Sequence, residues 1–227
     1  DGQRESWPSN KAVCIPENYV LRVQLLPGEI VDPPVERTLS CPARATFYQL
    51  HQALQVAFGW ASTHLFEFST KGNSHQLSIG DPNHDADGFG PIDRGTERKS
   101  SVRYKLCKYF EDEKFKDQIL MYEYDFGDGW EHYITVVNRA PATDRFVCVS
   151  GTGHGVAEDV GASPGWEDLK DIYRIPTDQL TPDERERRRW FEEMASNGDP
   201  SGLGGDRVNF FDLDRCNQDL RRVPVAD

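Results

Sequence analysis

Between Tyr122 and His132 the chain reads YEYDFGDGWEH, with four acids, a histidine and a tryptophan set around two glycines. Asp128-Gly129 is a strong hairpin-turn pair, because Gly tolerates the positive φ that a two-residue turn demands. With a turn of that length, Asp125 lies opposite His132, and cross-strand partners stand about 5 Å apart on one face. A carboxylate beside an imidazole is a general acid–base pair, part of a metal site, or a plain ion pair. Asp125 and His132 are therefore the catalytic candidates, and Asp125, Asp128, Trp130 and His132 the binding candidates on this hairpin. A three-residue loop would put Asp125 opposite Glu131 and dissolve the pair. The simpler reading makes Asp125 and Asp128 acceptors for turn amides.

A second cluster, Glu158-Asp159-Val160-Gly161, precedes Gly165-Trp166. Two acids in a glycine-flanked loop suit an oxygen-bound divalent cation, and with Asp128 they are the candidate metal ligands. Adjacent side chains diverge in an extended segment, so Glu158 and Asp159 alone make a poor cage. In the simpler reading they cap the helix near Trp166 or tie the loop to the core. Other chemistry fails on spacing. Gly127-Asp128-Gly129 is not followed by a helix, and the Gly151–Gly155 loop lacks the Lys-Ser/Thr of a phosphate loop. The six histidines form no HExxH, and no GxSxG elbow occurs.

The elements that position these residues can be read from periodicity. Tyr19–Leu26 and Val35–Ser40 alternate as a strand pair around Pro27-Gly28 and Pro33-Pro34. Thr46 opens a helix with a hydroxyl at the cap and Gln49 three residues on. Its apolar stripe is Phe47, Leu50, Leu54, Ala57 and Phe58, ending at Gly59. His64–Ser69 and His75–Ile79 read as short strands, and 80–100 as a long loop rich in Asp, Gly and Pro. Residues 101–110 fit a strand or a short helix. Ile119–Phe126 alternates, with Leu120, Tyr122, Tyr124 and Phe126 on one face, and Glu131–Val137 returns beside it. A further strand is expected at Arg145–Val149, then a loop to Gly165 and a helix over Trp166–Tyr173. Thr181-Pro182-Asp183-Glu184 starts another helix, running to about Ala195. Val208–Leu213 is a short apolar patch.

The expected fold is α+β: a β-grasp-like mixed sheet with one packed helix, plus a C-terminal helical extension. The expected divisions are a flexible arm at 1–17, a domain over 18–176 and the extension over 177–227.

The formal charge of −12 gives no counterion-release term for binding phosphate backbones. Direct nucleic-acid binding is not expected. The basic run at Arg185 and Arg187–Arg189 is interleaved with acids and reads as a solvated helix face. The five cysteines are odd in number and widely spaced, with no CxxC. They fit reduced thiols with no intramolecular disulfide, in the cytoplasm or nucleus. No run approaches the ~18 apolar residues of a membrane span. The chain opens Asp1-Gly2-Gln3 without an initiator methionine, as a fragment would.

The Tyr122–His132 segment closely resembles the signature of the plasmid Ri ORF-3-like family, also described as insertion-element passenger proteins. Tyr19–Leu26, the Phe47–Trp60 helix, His64-Leu65-Phe66-Glu67-Phe68, and Cys148, Gly151 and Glu158–Gly161 match in the same order. The resemblance covers about Tyr19 to Tyr173. It implies a compact β-grasp-like α+β fold and no particular activity. The family tends to carry prolines before its Glu-Asp and two glycines after. Here those positions hold Val156-Ala157 and Gly161-Ala162, so a role relying on the second glycine is not expected. The first expectation for function is a non-enzymatic binding or scaffold module for a protein partner. The rival is a metal-dependent hydrolase or nuclease-like enzyme using Asp125, Asp128, His132, Glu158 and Asp159 with a divalent cation. A third is a transposon-associated DNA accessory protein.

Overall fold

The structure is a computed structural model that describes residues 17–71, 76–80, 95–116 and 118–225. Residues 1–16 of the expected arm at 1–17, the turn at Lys71–Asn73 beyond residue 71, and most of the 80–100 loop lie outside these residues.

Among the described residues, eight strands form one sheet: β1 (Asn18–Leu25), β2 (Glu36–Cys41), β3 (Phe66–Lys71), β4 (Gln76–Gly80), β5 (Thr96–Ser100), β6 (Ile119–Tyr124), β7 (Trp130–Ala140) and β8 (Val147–Thr152). Their order is β5-β4-β3-β6-β7-β1-β2-β8. All neighbours are antiparallel except β4 and β5, which makes the sheet mixed. Five α-helices among the described residues complete the α+β fold: α1 (Phe47–Phe58), α2 (Leu106–Phe110), α3 (Ala162–Arg174), α4 (Pro182–Glu193) and α5 (Leu213–Leu220).

One face of the sheet is apolar because the strand period is two. Tyr19, Leu21, Val23 and Leu25 on β1, Phe66 and Phe68 on β3, and Leu120, Tyr122 and Tyr124 on β6 are buried in one core. α1 covers that face with the expected stripe of Phe47, Leu50, Leu54, Ala57 and Phe58, all buried. Its ends form as the sequence requires. The Thr46 hydroxyl accepts from the Gln49 N–H at 3.2 Å, Gln49 Oε1 accepts from the Thr46 N–H at 2.8 Å, and Gly59 closes the helix at φ 76°.

Several expectations are corrected. Thr96–Ser100 is an edge strand rather than loop; TERKS has no apolar alternation because it sits half-solvated at the sheet margin. Residues 106–110 are helical. α3 starts at Ala162, ahead of Trp166, after a left-handed Gly161 at φ 95°. Phe126 is 38% exposed, off the buried face, because β6 ends two residues earlier. α5 follows the apolar patch at 208–213 and packs on β8. Asn217 donates to the Cys148 carbonyl and accepts from its N–H, both at 2.9 Å, while Leu220 and Val223 join the main core.

Cys41, Cys148 and Cys216 are free and buried, but Cys107 is disulfide-bonded. The expectation of five reduced thiols therefore fails at Cys107, since spacing alone carries no record of which cysteines approach in space. The arginines of α4 serve the fold: Arg187 donates to the Gly165 carbonyl, and Arg188 to those of Ile172 and Ile175. No described helix is long and apolar enough to cross a membrane.

Candidate functional site

The hairpin departs from the two-residue turn. Tyr124 pairs with Trp130, Glu123 with Glu131, and Tyr122 with His132. The connection is thus Asp125 to Gly129, and His132 faces Tyr122 instead of Asp125. The cause is local. Asp125 turns left-handed at φ 57°, its N–H donates to the Leu65 carbonyl at 3.0 Å, and its own carbonyl accepts from Gly129 at 2.6 Å. Those bonds take the chain out of the ladder at Tyr124. Oδ1 of Asp125 then accepts from the Gly127 N–H at 3.0 Å, the turn-holding role that the simpler reading assigned it.

His132 is fully buried beneath α1, edge-on to Phe58 with ring centroids 4.6 Å apart. Nδ1 lies 3.2 Å from the Tyr122 carbonyl, and Nε2 accepts from the Trp60 indole N–H at 3.4 Å. Those partners define a neutral ring with its proton on Nδ1. Burial pushes its pKa down to about 3. Trp130 is likewise fully buried, against Trp60. Neither side chain reaches solvent to touch a partner or substrate.

Glu158 is also structural. Its carboxylate is 1% exposed and accepts four bonds. Oε1 takes the Ala61 N–H at 2.6 Å and the Tyr124 hydroxyl at 2.8 Å; Oε2 takes Thr63 Oγ1 at 2.9 Å and Ser196 Oγ at 3.1 Å. Burial, then the bond to Glu158, pushes the Tyr124 phenol up to about 12. With its acceptor sites filled by protein donors, Glu158 has no lone pair left for a cation.

Asp159, the next residue, points the other way. Its Oδ1 lies 3.6 Å from Nε2 of His64, and Oδ2 of Asp125 lies 3.7 Å from that same nitrogen. The ligand atoms of His64, Asp125 and Asp159 all fall within 4.8 Å of one another. Spacings of 3.6–3.7 Å are too long for hydrogen bonds. The two His64–carboxylate spacings are close to the roughly 3.4 Å between ligand atoms about 2.1 Å from a tetrahedral zinc. Nε2 of His64 is itself buried without a hydrogen-bond partner, which leaves its lone pair or its proton unused.

Backbone strain converges here as well. Asp125 and Asp159 both hold φ 57°, and Ala162 holds 59°; non-glycine residues in this region cluster at functional sites. Asp128 links the hairpin to the second loop by accepting from the Gly161 N–H at 3.4 Å, so it braces the cluster rather than joining it. Side-chain exposure rises from 9% at Asp125 to 29% at His64 and 68% at Asp159, leaving one side of the cluster open to water. Of the residues flagged in the sequence, the structure brings Asp125 and Asp159 together and gives Asp128, Trp130, His132 and Glu158 other work. His64 was missed. It stood at the edge of an apolar strand pattern, with neither partner nearby in sequence.

Fold and cluster define an α+β protein with a mixed eight-stranded sheet that carries a histidine–carboxylate constellation at one end. The model of the plasmid pRiA4b ORF-3-like protein family matches residues 17–219, and the chain belongs to that family. The match runs past Tyr173 through α4 and nearly all of α5. The chain is 34% identical over 193 residues to "Uncharacterized protein y4hQ" of Sinorhizobium fredii (strain NBRC 101917 / NGR234), covering 84% of this chain and 87% of that protein. A crystal structure of a "Protein of Unknown Function MM3350 from Methanosarcina mazei Go1" shares the fold at TM-score 0.64 and 23% identity, covering 88% of this chain and 96% of that one.

Proposed function

We propose that His64, Asp125 and Asp159 hold one divalent transition-metal ion and that the protein is a metal-dependent hydrolase. The observation that carries this reading is the partnerless, buried Nε2 of His64 set between two carboxylate oxygens. One imidazole and two carboxylates suit zinc, manganese or iron(II), and three protein ligands leave positions for water and substrate. A bound ion of this kind supplies Lewis acidity and lowers the pKa of a coordinated water to about 7. The chain's own part is positioning. Gly127 and Leu65 fix Asp125 through backbone bonds, Glu158 anchors the loop that presents Asp159, and Asp128 braces the two loops.

A second reading, a non-enzymatic module for a basic protein partner, is favoured by the −12 charge and by the structural roles of Trp130, His132 and Glu158. The same charge weighs against a DNA accessory role. Cytoplasmic or nuclear residence belongs to this second reading, and the Cys107 bridge weighs against it. A β-grasp-like start, β1–β2–α1, is compatible with either.

The test is calorimetric titration of Zn2+ and Mn2+ into chelator-treated protein, followed by assays on activated phosphodiesters and esters. One ion per chain, lost in His64→Ala, with metal-dependent turnover is the expected result. Binding without turnover on any substrate would favour the module. Absence of binding would remove the metal reading.

A further inference from the structure

Asp125 follows the last residue of β6, and a second concavity lies at that strand's first residue, Ile119. At about 3.3 Å per residue, the two sites are roughly 20 Å apart along the strand. The concavity has a volume of about 410 Å³, within the range of small-molecule sites. α2 and the 3-10 turn Glu113–Phe115 form its roof, and β1, β6 and β7 its floor.

Its polar groups are arranged in an unusual way. Tyr19 donates its hydroxyl to Glu111 Oε1 at 2.8 Å, and Nη2 of Arg139 forms a salt bridge to the same oxygen. The guanidinium also lies over the Tyr19 ring, 3.9 Å from its centroid, which fixes its plane. Glu111 therefore occupies one edge of Arg139 only. Nη1, on the other edge, is buried and has no hydrogen-bond partner. Tyr109 lines the same concavity, and its hydroxyl is also buried and without a partner among the described residues, on a residue 3% exposed.

Two buried donor atoms without a partner are costly. The Tyr109 ring is held by Phe115 at 5.0 Å and Phe47 at 5.8 Å, which fixes where its hydroxyl stands. Ile119 and Val136, 43% and 44% exposed, present apolar surface where the concavity opens. Lys116 adds positive charge to the lining, so the Arg139–Glu111 pair does not leave it acidic.

We propose that this concavity binds a small monocarboxylate with an apolar body, such as a medium-chain aliphatic or aryl acid. The carboxylate accepts from Nη1 of Arg139 and from the Tyr109 hydroxyl, and the hydrocarbon lies along Phe115, Ile119 and Val136. A carboxylate is the fitting head group because it accepts from two donors at once and is drawn to a guanidinium edge. The apolar body follows from the walls.

The probe is octanoate, with octan-1-ol as the uncharged control, followed by calorimetry and by chemical-shift titration. Wild-type protein should bind octanoate saturably and octanol at least about tenfold more weakly. Tyr109→Phe removes only the hydroxyl, so it should keep its melting temperature and lose about tenfold in octanoate affinity. Arg139→Gln should lose more. His64→Ala should bind octanoate as wild type does, which separates this site from the metal cluster. No saturable binding in the millimolar range, equal binding of octanol, or undiminished affinity in Tyr109→Phe would each overturn the proposal.

Discussion

Asp125 and Asp159 approach a single His64 nitrogen from two different loops, at 3.7 and 3.6 Å, and each does so from the same left-handed backbone conformation at φ 57°. An L-residue holds that conformation at a cost of roughly 1–2 kcal/mol, least for Asp and Asn. Two such residues directed at one imidazole place strain where a ligand would repay it.

The strain separates function from stability. Asp159 is 68% exposed and among the described residues its side chain meets only His64, so Asp159→Gly should relieve φ and leave stability within about 1 kcal/mol of wild type. Metal affinity should fall at least tenfold. Asp125 differs because Oδ1 also holds the Gly127 N–H. Asp125→Ala should cost about 1–3 kcal/mol, with Asp125→Asn milder, and both should lose metal. Thermal melts beside zinc titrations check this. Unchanged zinc affinity in all three variants would remove the cluster from consideration.

Glu158 should behave in the opposite way. Four donors converge on a carboxylate that is 1% exposed, so Glu158→Ala strands them together. A loss of at least about 3 kcal/mol is expected, larger than at either aspartate. Urea denaturation measures it. A loss under about 1 kcal/mol would show that the Glu158 network contributes little.

Acid sensitivity should begin above the carboxylate range. Burial pushes both His132 and His51 down to about 3, against about 6.5 in an unfolded chain. Below about pH 6.5 the unfolded state takes up protons that the folded state refuses. Stability from these neutral rings is therefore complete above that pH and declines as pH falls toward 3. The slope is about 1.4 kcal/mol per pH unit for each histidine. Denaturation at pH 7, 6 and 5 should show the decline, and a flat profile from pH 7 to 5 would contradict it.

Thiol counting tests the bridge. Unfolded without reductant, the chain should expose the thiols of Cys41, Cys148 and Cys216 and leave Cys107 unmodified until it is reduced. Five before reduction would mean that Cys107 is free in solution.

The sequence by itself determined whatever depends on short-range periodicity and caps. The α1 stripe from Phe47 to Phe58 with its Thr46–Gln49 box, the alternation of Tyr19–Leu25 and Leu120–Tyr124, and the Thr181-Pro182 start of α4 are local preferences that burial then reinforced. The sequence also marked Asp125 and Asp159, because glycine-flanked acids stand out in any context. Tertiary structure decided which of those acids meet. Adjacent residues in the second loop point apart, so Glu158 went to the core and Asp159 to His64. The register of the β6–β7 hairpin depended on a bond from Asp125 to Leu65, which lies on another segment, and it moved His132 from Asp125 to Tyr122. β5 and α5 escaped notice because their stability comes from neighbours: a parallel partner strand for one, and Asn217 clamped on Cys148 for the other. Contacts between segments distant in sequence leave no period along the chain, and the His64–Asp125–Asp159 cluster is made of such contacts alone.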